Sequence, residues 1–267
     1  MYTSLVFGDY NPESRVIPDQ NIMENSLIKI LEIRNYLLEA NTTDRFIDYF
    51  DTHFVEKMQQ LGGYTLGEFT VKDQPDRFVW LRGFSDMQKR LTFLNDFYMT
   101  SDTWKKFGPG ANEMMINSDN VHLLRPLQEG NQLTDPITHI ESNSFPDYKV
   151  ATIDYYIANT RLPELVDLFN TSYLPFLKST GIRTVSLWVS ESSPNDFPRL
   201  PAFQDPNLLV AITFYATEDE YKIRTSQLRN TISPALERKL QEVVTTHTQQ
   251  ILFTIQNNYS KKKSDIR

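Results

Sequence analysis

The feature that most constrains this chain is an internal repeat. FIDYFDTHFVEKMQQLGGYTLGEF, from Phe46 to Phe69, aligns without a gap on LVDLFNTSYLPFLKSTGIRTVSLW, from Leu165 to Trp188, at an offset of about 119 residues. Phe46 falls on Leu165, Asp48 on Asp167, Phe50 on Phe169, Thr52 on Thr171, Gly62 on Gly181 and Phe69 on Trp188. Two copies of one helix-then-strand unit, a small domain's length apart, predict a duplicated domain whose halves pack together as an internal pseudo-dimer. With 267 residues, the chain is long enough to bury two cores of ordinary size.

Within the first copy, residues 28–37 are rich in β-formers. Ala40, Asn41, Thr42 and Thr43 then supply turn and N-cap chemistry. Phe46, Phe50, Phe54, Met58 and Leu61 recur at helical spacing, and Gly62–Gly63 stops the helix. Strands over 64–71 and 78–84 read as a hairpin. A second helical region follows Ser85 and Asp86, breaks near Thr100, resumes at Trp104 and is interrupted at Gly108–Pro109–Gly110, and a last strand covers 120–124. The second copy repeats the order, with strands over 148–157, 184–189, 208–215 and 249–255 and helical regions over 162–180 and 217–244. The pattern predicts an α+β fold of two ferredoxin-like βαββαβ repeats, packed as an intramolecular dimeric α+β barrel. The expected divisions are an N-terminal arm (1–26), a first domain (27–127), a linker rich in turn formers (128–147), a second domain (148–255) and a basic tail (256–267).

The copies differ most after their second strands. The short turn after Val71 becomes ESSPNDFPRLPAFQDP, Glu191 to Pro206, with four prolines. Each proline fixes its own φ and restricts its neighbour, and Phe197, Leu200 and Phe203 would be poor choices for a solvated tip. An ordered loop crossing toward the other copy is expected.

Strand alternation places Glu32, Arg34 and Tyr36 on one face of the first strand, and Trp80 and Arg82 on one face of the third. Neighbouring strands would bring Glu32, Arg34 and Arg82 together beside Tyr36 and Trp80. Two readings stand. In one, Glu32, Arg34, Trp80 and Arg82 wall a pocket whose guanidiniums grip a carboxylate, carbonyl or quinone oxygen, with His122 or Tyr36 as the groups that move a proton. In the other, the charges satisfy one another and only fix geometry. The corresponding positions Thr152, Asp154, Val210 and Ile212 have mostly lost charge, so this reasoning puts any site in the first copy.

Cysteine is absent, which removes disulfides, thiolate catalysis and cysteine-ligated metal. Of the four histidines, His53, His122, His139 and His247, no two have metal-motif spacing. No metal or cofactor is expected, haem on His53 being the alternative, with an exposed helix position as the plainer reading of that residue. A net charge of −7 disfavours nucleic acid. No stretch approaches the roughly 18 apolar residues of a membrane helix, and the first residues lack a secretory pattern. A cytoplasmic monomer or homodimer that binds a small molecule is the expectation.

LEIRNYLL (31–38), LGEF (66–69), FSDMQKR (84–90), SDTW (101–104) and HLLRP (122–126) together resemble the NIPSNAP family, over the whole first copy. The second copy resembles the same fold more loosely, and FPRLP (197–201) is similar to a loop of tandem NIPSNAP-like proteins. The resemblance implies the dimeric α+β barrel superfamily, which includes cofactor-independent monooxygenases, haem-dependent enzymes, isomerases and proteins with no known reaction. The tandem form resembles bacterial members. Animal relatives are associated with mitochondria and mitophagy, and no mitochondrial presequence is evident here. The implied role is a small, partly apolar ligand held in the first domain, with monooxygenase-like or isomerase-like chemistry; the alternative is a non-catalytic scaffold with a filled barrel.

Overall fold

A computed structural model describes residues 28–127, 148–159 and 161–255. The expected arm, linker and tail, and with them His139, lie outside the described residues. The strands are β1 (Ile30–Leu38), β2 (Tyr64–Val71), β3 (Gln74–Phe84), β4 (Met115–Asn117), β5 (Val121–Pro126), β6 (Val150–Ala158), β7 (Val185–Ser190), β8 (Leu208–Tyr215) and β9 (Val244–Thr254). Helix α1 runs from Thr43–Phe50 through a π turn at Asp51–Val55 into Glu56–Gln60; α2 is Met87–Leu94 with a π turn at Asn95–Thr100; α3 is Asp102–Asn112. In the second half α4 runs from Leu162–Leu168 through a π turn at Phe169–Tyr173 into Leu174–Ser179, followed by α5 (Glu218–Thr231) and α6 (Pro234–Val243).

The strands form one continuous antiparallel sheet. Its order β3-β2-β9-β6-β8-β7-β5-β1 closes through a β1–β3 pairing into an eight-stranded barrel, and β4 pairs with the end of β1. Two joints link the halves. Phe69 on β2 lies opposite Thr254 on β9, and Trp188 on β7 lies opposite Pro126 on β5, so the two aromatics that align in the repeat occupy matching joints. Just beyond them, the Lys72 N–H donates to Ile251 O at 2.8 Å and the Glu191 N–H to Leu123 O at 3.0 Å. A closed barrel leaves few strand edges free.

Alternation along the strands sends one set of side chains inward. Leu31, Ile33, Phe69, Leu81, Trp188 and Val210 belong to a fully buried barrel core. The opposite faces carry helices and make two further cores, one per half.

The π turns follow from the apolar spacing. Phe46, Phe50, Phe54 and Met58 step by four residues, as do Leu165, Phe169, Tyr173 and Leu177. On an α-helix each such step drifts about 40° round the axis, so three would carry the last side chain off the core. A π turn inserts an extra residue and re-aims the stripe, and Phe46, Phe50, Phe54 and Met58 are all buried. Gly62 and Gly181 end the two helices at φ of 85° and 88°, the left-handed region where glycine costs least.

Several boundaries differ from the sequence expectation. The segment Gly108–Pro109–Gly110 does not interrupt α3. A Cβ on Gly108 would lie 2.8 Å from the Trp104 ring of the same helix and one on Gly110 2.6 Å from the Tyr49 hydroxyl on α1: Gly108 makes room for the Trp104 ring and Gly110 lets α3 approach α1, and that packing overrides their low helix propensity. The hairpin turn is only Lys72–Asp73, with Asp73 at φ 60°. Strand β9 begins at Val244 rather than Gln249.

Candidate functional site

The β1–β3 register sets Glu32 opposite Arg82, Arg34 opposite Trp80 and Tyr36 opposite Phe78, on the face beneath α1 and α2. Glu32 is the hub. Its Oε2 accepts from Arg34 Nη1 at 2.9 Å and from Arg82 Nε and Nη2 at 2.9 and 2.5 Å. Its Oε1 accepts from Arg90 Nε at 2.7 Å. Arg34 Nε also donates to the Tyr36 hydroxyl at 2.8 Å, and Arg82 Nη1 to the Tyr98 hydroxyl at 3.1 Å. Burial alone would raise the Glu32 carboxyl; the charges of Arg82, Arg34 and Arg90 outweigh it and hold the group far below the usual carboxylate range. The Tyr36 hydroxyl is pushed up by burial, opposed by Arg34.

Glu32 and Arg82 are 0% exposed and Arg34 2%. Aromatic rings close around them. The Arg82 guanidinium carbon lies 5.2 Å from the Trp80 ring centre and 5.0 Å from that of Phe93. Of the residues predicted from sequence, Glu32, Arg34, Tyr36, Trp80 and Arg82 are brought together.

Arg90, Tyr98 and Asp196 complete the cluster and were not foreseen. Arg90 comes from the first turns of α2, whose start is fixed by Asp86 Oδ1 accepting from the Lys89 N–H at 2.7 Å. Asp196 comes from the other half: its Oδ1 accepts from Arg90 Nη1 at 2.9 Å. The proline-rich loop does cross. Phe197 is buried in the first half's helix-covered core, with Leu200 and Ala202 against it. Loop amides hold it in shape, with Gln204 Nε2 donating to Glu191 O and Ser193 O at 2.7 Å each and Asn195 Nδ2 to Leu200 O at 2.8 Å.

His122 is not part of this cluster, contrary to expectation. It pairs with Ile33, not with Glu32 or Arg34, so its ring is on the barrel side of the sheet, 4.9 Å from the Tyr155 ring and 5.5 Å from that of Phe203. Its Nδ1 is buried without an acceptor or donor, and burial, partly offset by Asp205, lowers it to about 4. His53 is half-buried rather than exposed, stacked on Phe107 at 3.8 Å and edge-on to Tyr49. Among the described residues no three His, Asp or Glu side chains converge as a metal-binding group, and no helix is long and apolar enough to cross a membrane.

The helix-covered face of the second half holds a polar group that sequence reasoning passed over. Asp154, at the position matching Arg34, accepts on Oδ1 from Gln249 Nε2 at 2.8 Å and sits 2.8 Å from His247 Nε2. The His247 ring lies flat on Tyr156, 4.3 Å between centres and 2° between planes, and Tyr156 hydrogen-bonds Tyr173. Burial pushes the Tyr156, Tyr173 and Tyr215 hydroxyls up, with Asp154 adding to each. The sequence sets Asp154 among four positions that have mostly lost charge and His247 just before a strand expected at Gln249; β9 begins at Val244 and carries His247.

No known family model matches the sequence, and no curated protein matches it. Solved structures do. A candidate monooxygenase from Fusobacterium nucleatum is 9% identical over 86% of this chain and 93% of its own, with a TM-score of 0.57. A second, from Lactobacillus acidophilus, is 12% identical over 85% and 94%, with a TM-score of 0.52. These matches show a shared fold of the dimeric α+β barrel type. A NIPSNAP domain protein from Burkholderia xenovorans also matches, 16% identical over 37% of this chain and 94% of its own, with a TM-score of 0.34.

Proposed function

We propose that the chain is a NIPSNAP-like tandem of two ferredoxin-like βαββαβ repeats, residues 27–127 and 148–255, in which the first repeat is a filled structural half. Its charged cluster locks the two repeats together. One observation carries this reading: both oxygens of a carboxylate that water does not reach are taken by three guanidiniums, and one of these, Arg90, also holds Asp196 from the other repeat. Arginines so engaged direct their charge at Glu32 rather than at a ligand, and removing one partner would strand buried charge. Each half supplies its second strand to the other's last strand, which supports a barrel completed within one chain, and hence a monomer.

A specific observation favours the second reading, a small-ligand site walled by Glu32, Arg34, Trp80 and Arg82. The Trp80 Nε1 donor is buried and without an acceptor. There Arg34 and Arg82 would stabilise oxyanion character in cofactor-independent monooxygenase-like or isomerase-like chemistry, with Tyr36 moving a proton.

Mass spectrometry of small molecules released from purified wild type and from an Arg34→Gln variant, both checked by circular dichroism, separates the two. The lock reading expects identical released profiles and a lower melting temperature for the variant. A compound retained by the wild type and lost from a folded variant would replace it with the ligand reading.

A further inference from the structure

The two halves are not equally closed, and the reason is one loop. At the β7–β5 joint the chain passes Glu191 and continues along β5: the Phe203 N–H donates to Val121 O at 2.7 Å and the Leu123 N–H to Phe203 O at 3.2 Å. At the matching joint the chain passes Lys72 and turns back at once into β3. Beyond Ile251, the edge of β9 facing away from β6 therefore has no ladder partner among the described residues. His247 and Gln249 are on this stretch. The His247 side chain is 45% exposed while Asp154, beneath it, is 10%.

We infer that Asp154 and His247 form a general-base site in the second half, open to a neutral, partly apolar ligand that carries a weakly acidic proton. A carboxylate can only accept, so the 2.8 Å contact to Oδ1 requires the proton on His247 Nε2. In the neutral ring Nδ1 is then the lone-pair nitrogen, and it is the other edge of a side chain nearly half exposed. Asp154 fixes the tautomer and stabilises the imidazolium formed when Nδ1 takes a proton, the role a carboxylate plays toward histidine in hydrolytic triads. Gln249 anchors Asp154 from the same strand, and the flat contact with Tyr156 holds the ring plane.

The surroundings select the ligand. The charge that the imidazole meets directly is the Asp154 carboxylate at 2.8 Å, which disfavours an anion beside it, the opposite of the arginine-rich first half. Tyr173, Leu162, Leu240, Val243 and Ile251 are only partly buried apolar neighbours of this core, which suits an apolar body. This inference does not need the first half to be inert, and its test leaves the Glu32 cluster untouched.

The probe is 5-nitrobenzisoxazole with the full-length protein. His247 Nδ1 would take the C3 proton, the C–H electron pair would become part of a nitrile, and the N–O bond would break to release a nitrophenolate read by absorbance. The expected result is saturable elimination above the buffer rate. His247→Ala should lower kcat/KM by about 100-fold, with partial rescue by added imidazole, and Asp154→Asn by about tenfold. A wild-type rate at the buffer background, or one unchanged in a folded His247→Ala protein, would overturn the proposal. Two-bond nitrogen–proton NMR in mildly alkaline buffer checks the geometry separately: the Nε2–H tautomer is expected, and the Nδ1–H tautomer would refute it.

Discussion

The same position on the first strand of each half has opposite fates. In the first half Arg34 is 2% exposed and belongs to a network that includes a residue of the other half. In the second half Asp154 answers Arg34, and its partner His247 is 45% exposed. The difference lies in what each half sends across the joint. The second sends sixteen residues with four prolines, the first a two-residue turn. A duplicated fold can therefore assign one half to structure and free the other by lengthening a single loop.

The comparison is broken most forcefully at Glu32. Glu32→Ala would leave the buried Arg34 and Arg82 guanidiniums without an anion and Arg90 with Asp196 alone, and a loss of about 3–5 kcal/mol is expected from urea unfolding. The pH sign is definite. The folded carboxyl titrates below its unfolded value, so its contribution is fully present above the ordinary carboxylate range near about 4.3 and is lost as pH falls through and below it. Glu32→Gln should accordingly flatten the acid limb of the stability–pH curve, and an unchanged acid limb would show that the cluster does not carry acid sensitivity.

Next in size is the loop's anchor. Phe197 is 7% exposed inside the other half's core, and truncation of a buried phenylalanine costs about 3–5 kcal/mol. Phe197→Ala is expected at the lower bound, because the loop can relax. Hydrogen exchange should show faster opening of residues 191–206 in that variant, with α4 unaffected. Uniform acceleration across both halves would mean that the loop is no independent unit.

How far all this could be read from sequence depends on the length scale of the signal. Period-two alternation set the face of Glu32, Arg34, Tyr36, Trp80 and Arg82, and the repeat set Phe69 in line with Trp188, because these are local or repeated patterns; that the two residues sit at the joints emerged only from the strand pairing. Arg90 was not legible: an arginine in the helical run MQKR has the signature of a solvated residue, and only the fold delivers it to Glu32. Asp196 was hidden for the same reason, in a loop whose crossing was expected but whose landing point was not. For His122 the strand was foreseen, but its register against β1 was not, and a one-residue difference in register decides the face. The Asp154–His247 pair needed the true start of β9, which the polar run TTHTQQ, short of apolar alternation, conceals.

His122 gives a smaller, pH-limited effect. Burial lowers it to about 4, below the unfolded value near about 6.5. Between those values the unfolded chain binds the proton more readily, so stability falls as pH falls through that window. His122→Leu is expected to remove this slope and leave stability above it nearly unchanged. A slope that persists would place the titration on another group.

The smallest effects separate the two kinds of charge pair. Arg90–Asp196 joins a fully buried guanidinium to a carboxylate 31% exposed, whereas Arg161–Glu164, at the start of α4, joins side chains 74% and 44% exposed at 2.7 Å. Distance alone, 2.9 Å against 2.7 Å, would rank the exposed pair first. Water screens the second pair and leaves its side chains the entropy they would lose by pairing, so a double-mutant cycle should return about 0–0.5 kcal/mol. The first pair lies in a low-dielectric layer with its arginine already fixed by Glu32, and its coupling energy should reach about 1–2 kcal/mol. If the two cycles return the same value, the contact across the joint is a surface pair like any other, and the closure of the first half rests on Phe197 packing rather than on charge.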